Sequence, residues 1–354
     1  MHAVLYASSG PDPAEAGLAA QALARAEKLV PDHPATYHTR GLYHLFVKND
    51  PTSALGALDS GLARWPQDVD LLGSAGAADR RPERTELALA RLRRAQELDP
   101  RSVSTAIRFS FRLSQEHLFE EARSVADRGL ELGPANLILI QSRLIAALGS
   151  GDADDARAVV ARAATDPAVD PAALAATVAS AEDMYWLLDE TQQRLVLDLP
   201  PSAFDNSRSM WAMTRARLHH HRADSALARA WADTAQRELV REIRAAPEDP
   251  RPRLMRAVAL ALQGKAAEAI REGERGLALI RDLHSGIESH YLLRQMALAH
   301  LLAGQPDRAL DRLEQLLGIR QHYSAGWLRV DPAFAGLRGE ERFRRLTGVG
   351  ALTS

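Results

Sequence analysis

Three consecutive histidines, His219, His220 and His221, are the first residues in this chain whose type could do chemistry. Neighbouring positions on a helix point about 100° apart, so three such rings cannot converge on one metal ion. A ligand four residues before His221 would be needed, and that position holds Arg217. The run therefore reads as a solvated helix end. His33, His38 and His44 are also off the helical ligand spacing. Asp152, Asp154 and Asp155 lack the alternating oxygen ligands and closing Glu of a calcium loop. They fit a helix start, where carboxylates complement the helix dipole. No paired carboxylates, Ser-His-Asp order, HExxH helix, Gly-rich phosphate loop or kinase HRD motif can be defended. The expectation is a non-enzyme with no metal and no cofactor. Met184, Tyr185, Trp186 and Leu187 form an apolar cluster that reads either as core or as the wall of a ligand pocket.

Composition narrows the class further. The chain has 354 residues and no cysteine, which excludes disulfides, thiolate metal sites and a Cys nucleophile. Net charge is −2, from 44 basic and 46 acidic side chains, without the basic excess of a duplex-binding protein. Only Lys28, Lys48 and Lys265 are lysine; the other basic residues are arginine. Arg and Glu recur three or four apart in RLRRAQELDPR and REGERG, the pattern of an exposed helix face. Ala, Leu and Arg dominate, all of which lose little entropy in a helix. No apolar run approaches the ~20 residues of a membrane helix, and the first residues lack the layout of a signal peptide. An all-α, soluble and cytoplasmic protein is expected.

The elements that must position these residues repeat. Pro31, Pro66, Pro100, Pro134 and Pro167 follow one another at intervals of 35, 34, 34 and 33 residues. Each proline ends a helix, because it lacks the amide hydrogen and clashes with the preceding turn. Before the first four stops stands a set of small and larger residues: Ala19, Leu23, Ala26; Ala54, Leu58, Gly61; Ala88, Leu92, Ala95; and Ala122, Ala126, Gly129. Small residues let two helix axes approach closely, and Gly41 and Gly76 stand where facing helices would cross. A helix hairpin alone cannot cover both apolar faces, so the pairs must stack. From 168 to 247 the register loosens around Pro200-Pro201, although 172–181, 183–197, 209–221 and 224–246 still read as helices. Ala257 and Ala269, then Ala297, Ala309 and Leu313, restore the pattern.

These positions resemble the tetratricopeptide repeat: a large residue, a small one four later, then Ala-x3-large-x2-Ala-x4-Pro. The likeness implies a right-handed α-α superhelical solenoid of about nine helix pairs. We expect a regular array over 1–167, irregular pairs over 168–247, further pairs over 248–322 and a capping segment over 323–354, in one continuous solenoid. The segment GWLRVDPAFAGLRGEERFRRLTG, with Trp327, Leu328, Phe334, Leu337, Phe343 and Leu346, is expected to pack on the last pair. It closely resembles the end of bacterial tetratricopeptide regions attached to serine/threonine kinases, adenylate cyclases and winged-helix regulators. HAVLYASS supplies only part of a helix partner for the first pair, so the chain is expected to be the C-terminal piece of a longer protein or to have a misplaced start codon.

In such arrays the first helix of each pair lines the concave surface. Register then nominates His38, Leu42, Phe46, Arg80, Arg81, Ile107, Phe111, Gln115, Gln141 and Ile145 as partner-binding. The chaperone-docking subset, which clamps a C-terminal carboxylate with Lys and Asn, is set aside. The corresponding positions here are His38, Leu42, Gly73, Ala77, Ile107 and Phe111, and without cationic donors a buried carboxylate is not balanced. The implied function is a regulatory interaction module binding a protein or peptide segment, with no nucleic acid or membrane partner. A free-standing scaffold and a small-molecule sensor built around Met184–Leu187 stay open.

Overall fold

The computed structural model describes residues 13–280 and 289–348, and among them every regular element is helical. The expected half-helix at HAVLYASS lies outside the described residues. The chain divides into two compact units. The first comprises residues up to Leu113 together with Glu121–Gly133, and the second comprises Ser114–Glu120 and everything from Pro134 onward.

The first unit is built from α1 (Pro13–Leu29), α2 (Pro34–Leu42, prolonged by a π-helical turn, Tyr43–Val47), α3 (Pro51–Arg64), α4 (Val69–Ala78) and α5 (Thr85–Leu98). It also takes in most of α6 (Val103–Gln115) and α7 (Phe119–Leu132). α1, α3, α5 and α7 each end two residues before one of the periodic prolines. The small residues do what their size allows. A Cβ on Gly41 would lie 2.6 Å from Leu58 Cγ, and one on Gly76 would lie 2.7 Å from both the Ala88 carbonyl and Leu92 Cγ. Ala54, Leu58, Ala88, Leu92 and Ala95 are fully buried at these crossings. Asp50 and Asp68 cap α3 and α4 by accepting from the amides of Ser53 and Leu71. These close-crossing helix pairs follow the small-residue pattern read from the sequence.

The second unit holds α8 (Leu137–Ser150), α9 (Ala153–Thr165), α10 (Pro171–Ser180), α11 (Glu190–Asp198), α12 (Arg208–His221), α13 (Ser225–Ala245), α14 (Pro250–Leu262), α15 (Ala266–Leu277), α16 (Ser289–Leu302) and α17 (Pro306–Leu317). Two short helices follow, α18 (Ala325–Val330) and α19 (Glu341–Leu346). Asp152 is the N-cap of α9, as its spacing predicted. The helix predicted over 183–197 is interrupted: residues 181–187 form a 3-10 segment in which Glu182 and Asp183 adopt left-handed backbone, and α11 begins only at Glu190. The loosened register has a local anchor. Arg215 packs against the edge-to-face pair Trp211 and Trp231, 4.7 Å from each ring centroid. Both Arg215 and Trp211 donate to the Leu199 carbonyl just before Pro200.

The C-terminal segment packs on the last pair and on α8 as well. α19 does rest on the last pair, with Arg342 bridging Glu314 and Asp311 on α17. α18 instead returns to α8. A Cβ on Gly326 would lie 2.7 Å from the Gly149 carbonyl and 2.8 Å from the Gly151 amide, so the backbones touch there. Ser324 Oγ donates to the Gly149 carbonyl, and His117 Nε2 is hydrogen-bonded to the Gln321 carbonyl at 2.7 Å. The second unit is thus closed by its own C-terminal segment.

Candidate functional site

In the first unit, α2, α4 and α6 lie side by side. His38 Nε2 and Ser74 Oγ are hydrogen-bonded at 2.8 Å, tying α2 to α4. A Cβ on Gly73 of α4 would lie 3.2 Å from Arg108 on α6, with Thr105 beside it. Desolvation lowers the pKa of the half-buried His38; Asp70 opposes this and Arg108 reinforces it. Burial likewise lowers that of Arg108, against Asp70. One stretch of surface therefore combines an imidazole, a hydroxyl, a carboxylate and a guanidinium. Leu42, one turn beyond His38, and Phe46, Ile107 and Phe111 are half-buried.

The remaining nominated residues divide. Arg80 is exposed. Arg81 reaches back to the fully buried Asp79, Nε to Oδ1 at 2.8 Å, joined there by Arg84 at 3.0 Å. Burial would raise the Asp79 pKa, but these two guanidiniums hold it below the ordinary value. Arg81 thus secures a turn and is already engaged in an ion pair. Gln115 belongs to the second unit, as do Gln141 and Ile145. Gln115 and Gln141 are half-buried, whereas Ile145 is 1% exposed and serves the core of α8. An inward-facing position of an all-round apolar helix cannot present itself to a partner.

The Met184–Leu187 cluster is buried throughout. Tyr185 does line a cleft with Arg217, His221 and Leu298, but its volume of about 220 Å³ falls below the roughly 300–1,000 Å³ typical of ligand pockets. Met184–Leu187 is core.

Sequence reasoning missed a buried polar centre in the second unit. Asp183, 2% exposed, accepts four hydrogen bonds. Arg217 and Tyr291 donate to Oδ1, the latter at 3.2 Å; Arg294 and Gln295 donate to Oδ2 at 2.7 and 2.8 Å. Arg294 also donates to Asp331, which is fully buried, and Arg217 donates to Gln295 Oε1, both at 2.7 Å. Two arginines and two aspartates balance. Asp183 raises the pKa of both guanidiniums against desolvation, with Asp331 the larger contributor at Arg294.

Beside this centre stands a second group. Glu182, His290 and His322 present ligand-type atoms all within 4.8 Å of one another. Both His Nε2 atoms approach the same oxygen, Glu182 Oε1, His290 at 3.8 Å and His322 at 3.6 Å. Tyr323 donates to the other oxygen at 2.6 Å. Burial would raise the Glu182 pKa, but His322 and His290 outweigh it and hold the carboxylate well below its usual range. The Tyr323 hydroxyl is pushed well above 10 by burial and by Glu182, so it remains a donor. Among the described residues these three side chains form a set that could hold a metal ion, assembled from three distant segments. No helical spacing could have revealed it.

No protein-family description matches the chain, and no curated protein sequence matches it. Solved structures do resemble it. A tetratricopeptide protein of Thermus thermophilus aligns at 20% identity and TM-score 0.39, covering 47% of this chain and 88% of that one. A tetratricopeptide repeat protein of Parabacteroides merdae aligns at 13% identity and TM-score 0.39, covering 89% and 98%. PilF of Pseudomonas aeruginosa aligns at 15% identity and TM-score 0.40, covering 72% and 94%. The resemblance to the tetratricopeptide repeat rests on this chain's periodic stops and close helix crossings. No helix among the described residues is long and apolar enough to cross a membrane.

Proposed function

We propose that the chain is a non-catalytic protein-interaction module, and that the α2–α4–α6 face of the first unit holds an extended or helical segment of a protein partner. The observation that supports this most is the His38–Ser74 bond together with the Gly73–Arg108 approach, which aligns three first helices on one surface. Asp70, Arg108 and His38 supply hydrogen-bonding groups suited to a peptide backbone, and Leu42, Phe46 and Ile107 supply apolar contact. The likeness of residues 326–348 to the ends of regulatory tetratricopeptide regions supports placing the module in bacterial signalling or transcription control.

The test is site-specific photo-crosslinking in cells, with the crosslinker at Leu42 or Ile107 and controls at the exposed Leu29 and Leu132. One discrete partner should be captured from the first two positions, and lost when Phe46 and Phe111 are replaced by alanine in a chain that still folds. Equal capture from the control positions refutes the assignment.

A further inference from the structure

We propose that Glu182, His290 and His322 form a divalent transition-metal site, with Zn2+ as its ion, which clasps the C-terminal segment to α16 and to the interrupted turn after α10. Two imidazole nitrogens and a carboxylate oxygen are the donor set of many three-ligand zinc sites. The separations fit this use better than direct pairing. The His322 Nε2 stands 3.6 Å from Glu182 Oε1, too far for a normal hydrogen bond, and the His290 Nε2 stands 3.8 Å from the same oxygen. They are close to the roughly 3.3 Å separating neighbouring ligands around a tetrahedral ion with bonds of about 2.0–2.1 Å.

Two independent observations point the same way. His322 is 5% exposed, and its Nε2, facing Glu182, has no hydrogen-bond partner. A buried polar atom in that state is costly unless something occupies the space before it. Glu182 is also held at φ +50°, where a side-chain-bearing residue is strained, and strain of this kind persists where the surroundings over-determine it. Tyr323, donating to Oε2, fixes the carboxylate so that Oε1 alone faces the two rings. Outer-shell partners of zinc ligands act in this way. Imidazole and carboxylate together favour Zn2+ over the oxygen-seeking Mg2+ and Ca2+.

The experiment uses the full chain, stripped with chelator and titrated with ZnCl2 by calorimetry, with CoCl2 absorption as the spectroscopic readout. Wild type should bind one equivalent of Zn2+, show tetrahedral Co2+ bands and melt at higher temperature when loaded. Glu182→Gln and His322→Gln should each abolish the Co2+ bands, and Tyr323→Phe should weaken Zn2+ binding about 10–100-fold. Changing His219, His220 and His221 together to alanine should leave binding intact. Circular dichroism confirms that each variant is folded. Should a variant fail to fold, the wild-type stoichiometry and Co2+ spectrum decide alone. A folded wild type that takes up no Zn2+ at micromolar concentration overturns the proposal, as does uptake that survives Glu182→Gln or disappears with the histidine run.

Discussion

Replacing Asp183 by Asn removes one charge from the buried centre of the second unit while leaving its shape, and its backbone permits the change. Asp183 lies at φ +58°, a left-handed conformation that Asn adopts more readily than most residues. The loss is electrostatic. Among the described residues Arg217, 3% exposed at its side chain, pairs with Asp183 alone, whereas Arg294 keeps Asp331. Breaking one side of a buried pair typically costs about 3–5 kcal/mol, because the surviving charge stays desolvated and uncompensated. At about 2–4 °C per kcal/mol for a unit of this size, the transition of the second unit should fall by on the order of 6–20 °C. Differential scanning calorimetry at pH 7.5 checks this, and urea titration followed by Trp fluorescence gives an independent midpoint. Adding Arg217→Met should recover part of the loss, since removing both partners spares the orphaned charge. A destabilisation below about 1 kcal/mol, or a double variant no better than the single one, would refute the assignment of Asp183 as the charge that holds this centre together.

Two further outcomes follow from packing and protonation. Gly326→Ala sets a methyl against backbone atoms of Gly149 and Gly151 that cannot swing away, so it should cost about 1–3 kcal/mol and loosen the C-terminal segment from α8. A red shift in the emission of Trp327, buried in the native state, reports that loosening, and unchanged emission and stability would contradict it. Burial lowers the pKa of His38 and of His300 in the folded chain. The unfolded chain then binds protons first, near pH 6.5, so stability should decline as pH falls from 7.5 through 6.5 toward the lower folded values. Urea midpoints that stay level or rise over that range would exclude buried neutral histidines.

Much of the local architecture is legible in the sequence. Helix stops and small-residue crossings are short-range features: Pro66 ends α3 whatever surrounds it, and Gly76 marks a close crossing because no side chain fits between it and Leu92. The same register placed His38 on the first-helix face, where it meets Ser74. It failed at Ile145, because periodicity counts turns and cannot tell which side of an apolar helix a neighbour will cover.

The division into two units, the return of α18 to α8 and the polar centre belong to the tertiary structure alone. Asp183, Arg217, Arg294 and Asp331 carry no mutual spacing that a helix or loop imposes, and neither do Glu182, His290 and His322. They meet because the break after α10 turns two acidic residues inward with left-handed backbone, while the C-terminal segment folds back over them. Repeat periodicity is dictated by bonds three and four residues apart. Convergence of residues more than a hundred positions apart depends on where the whole chain leads them.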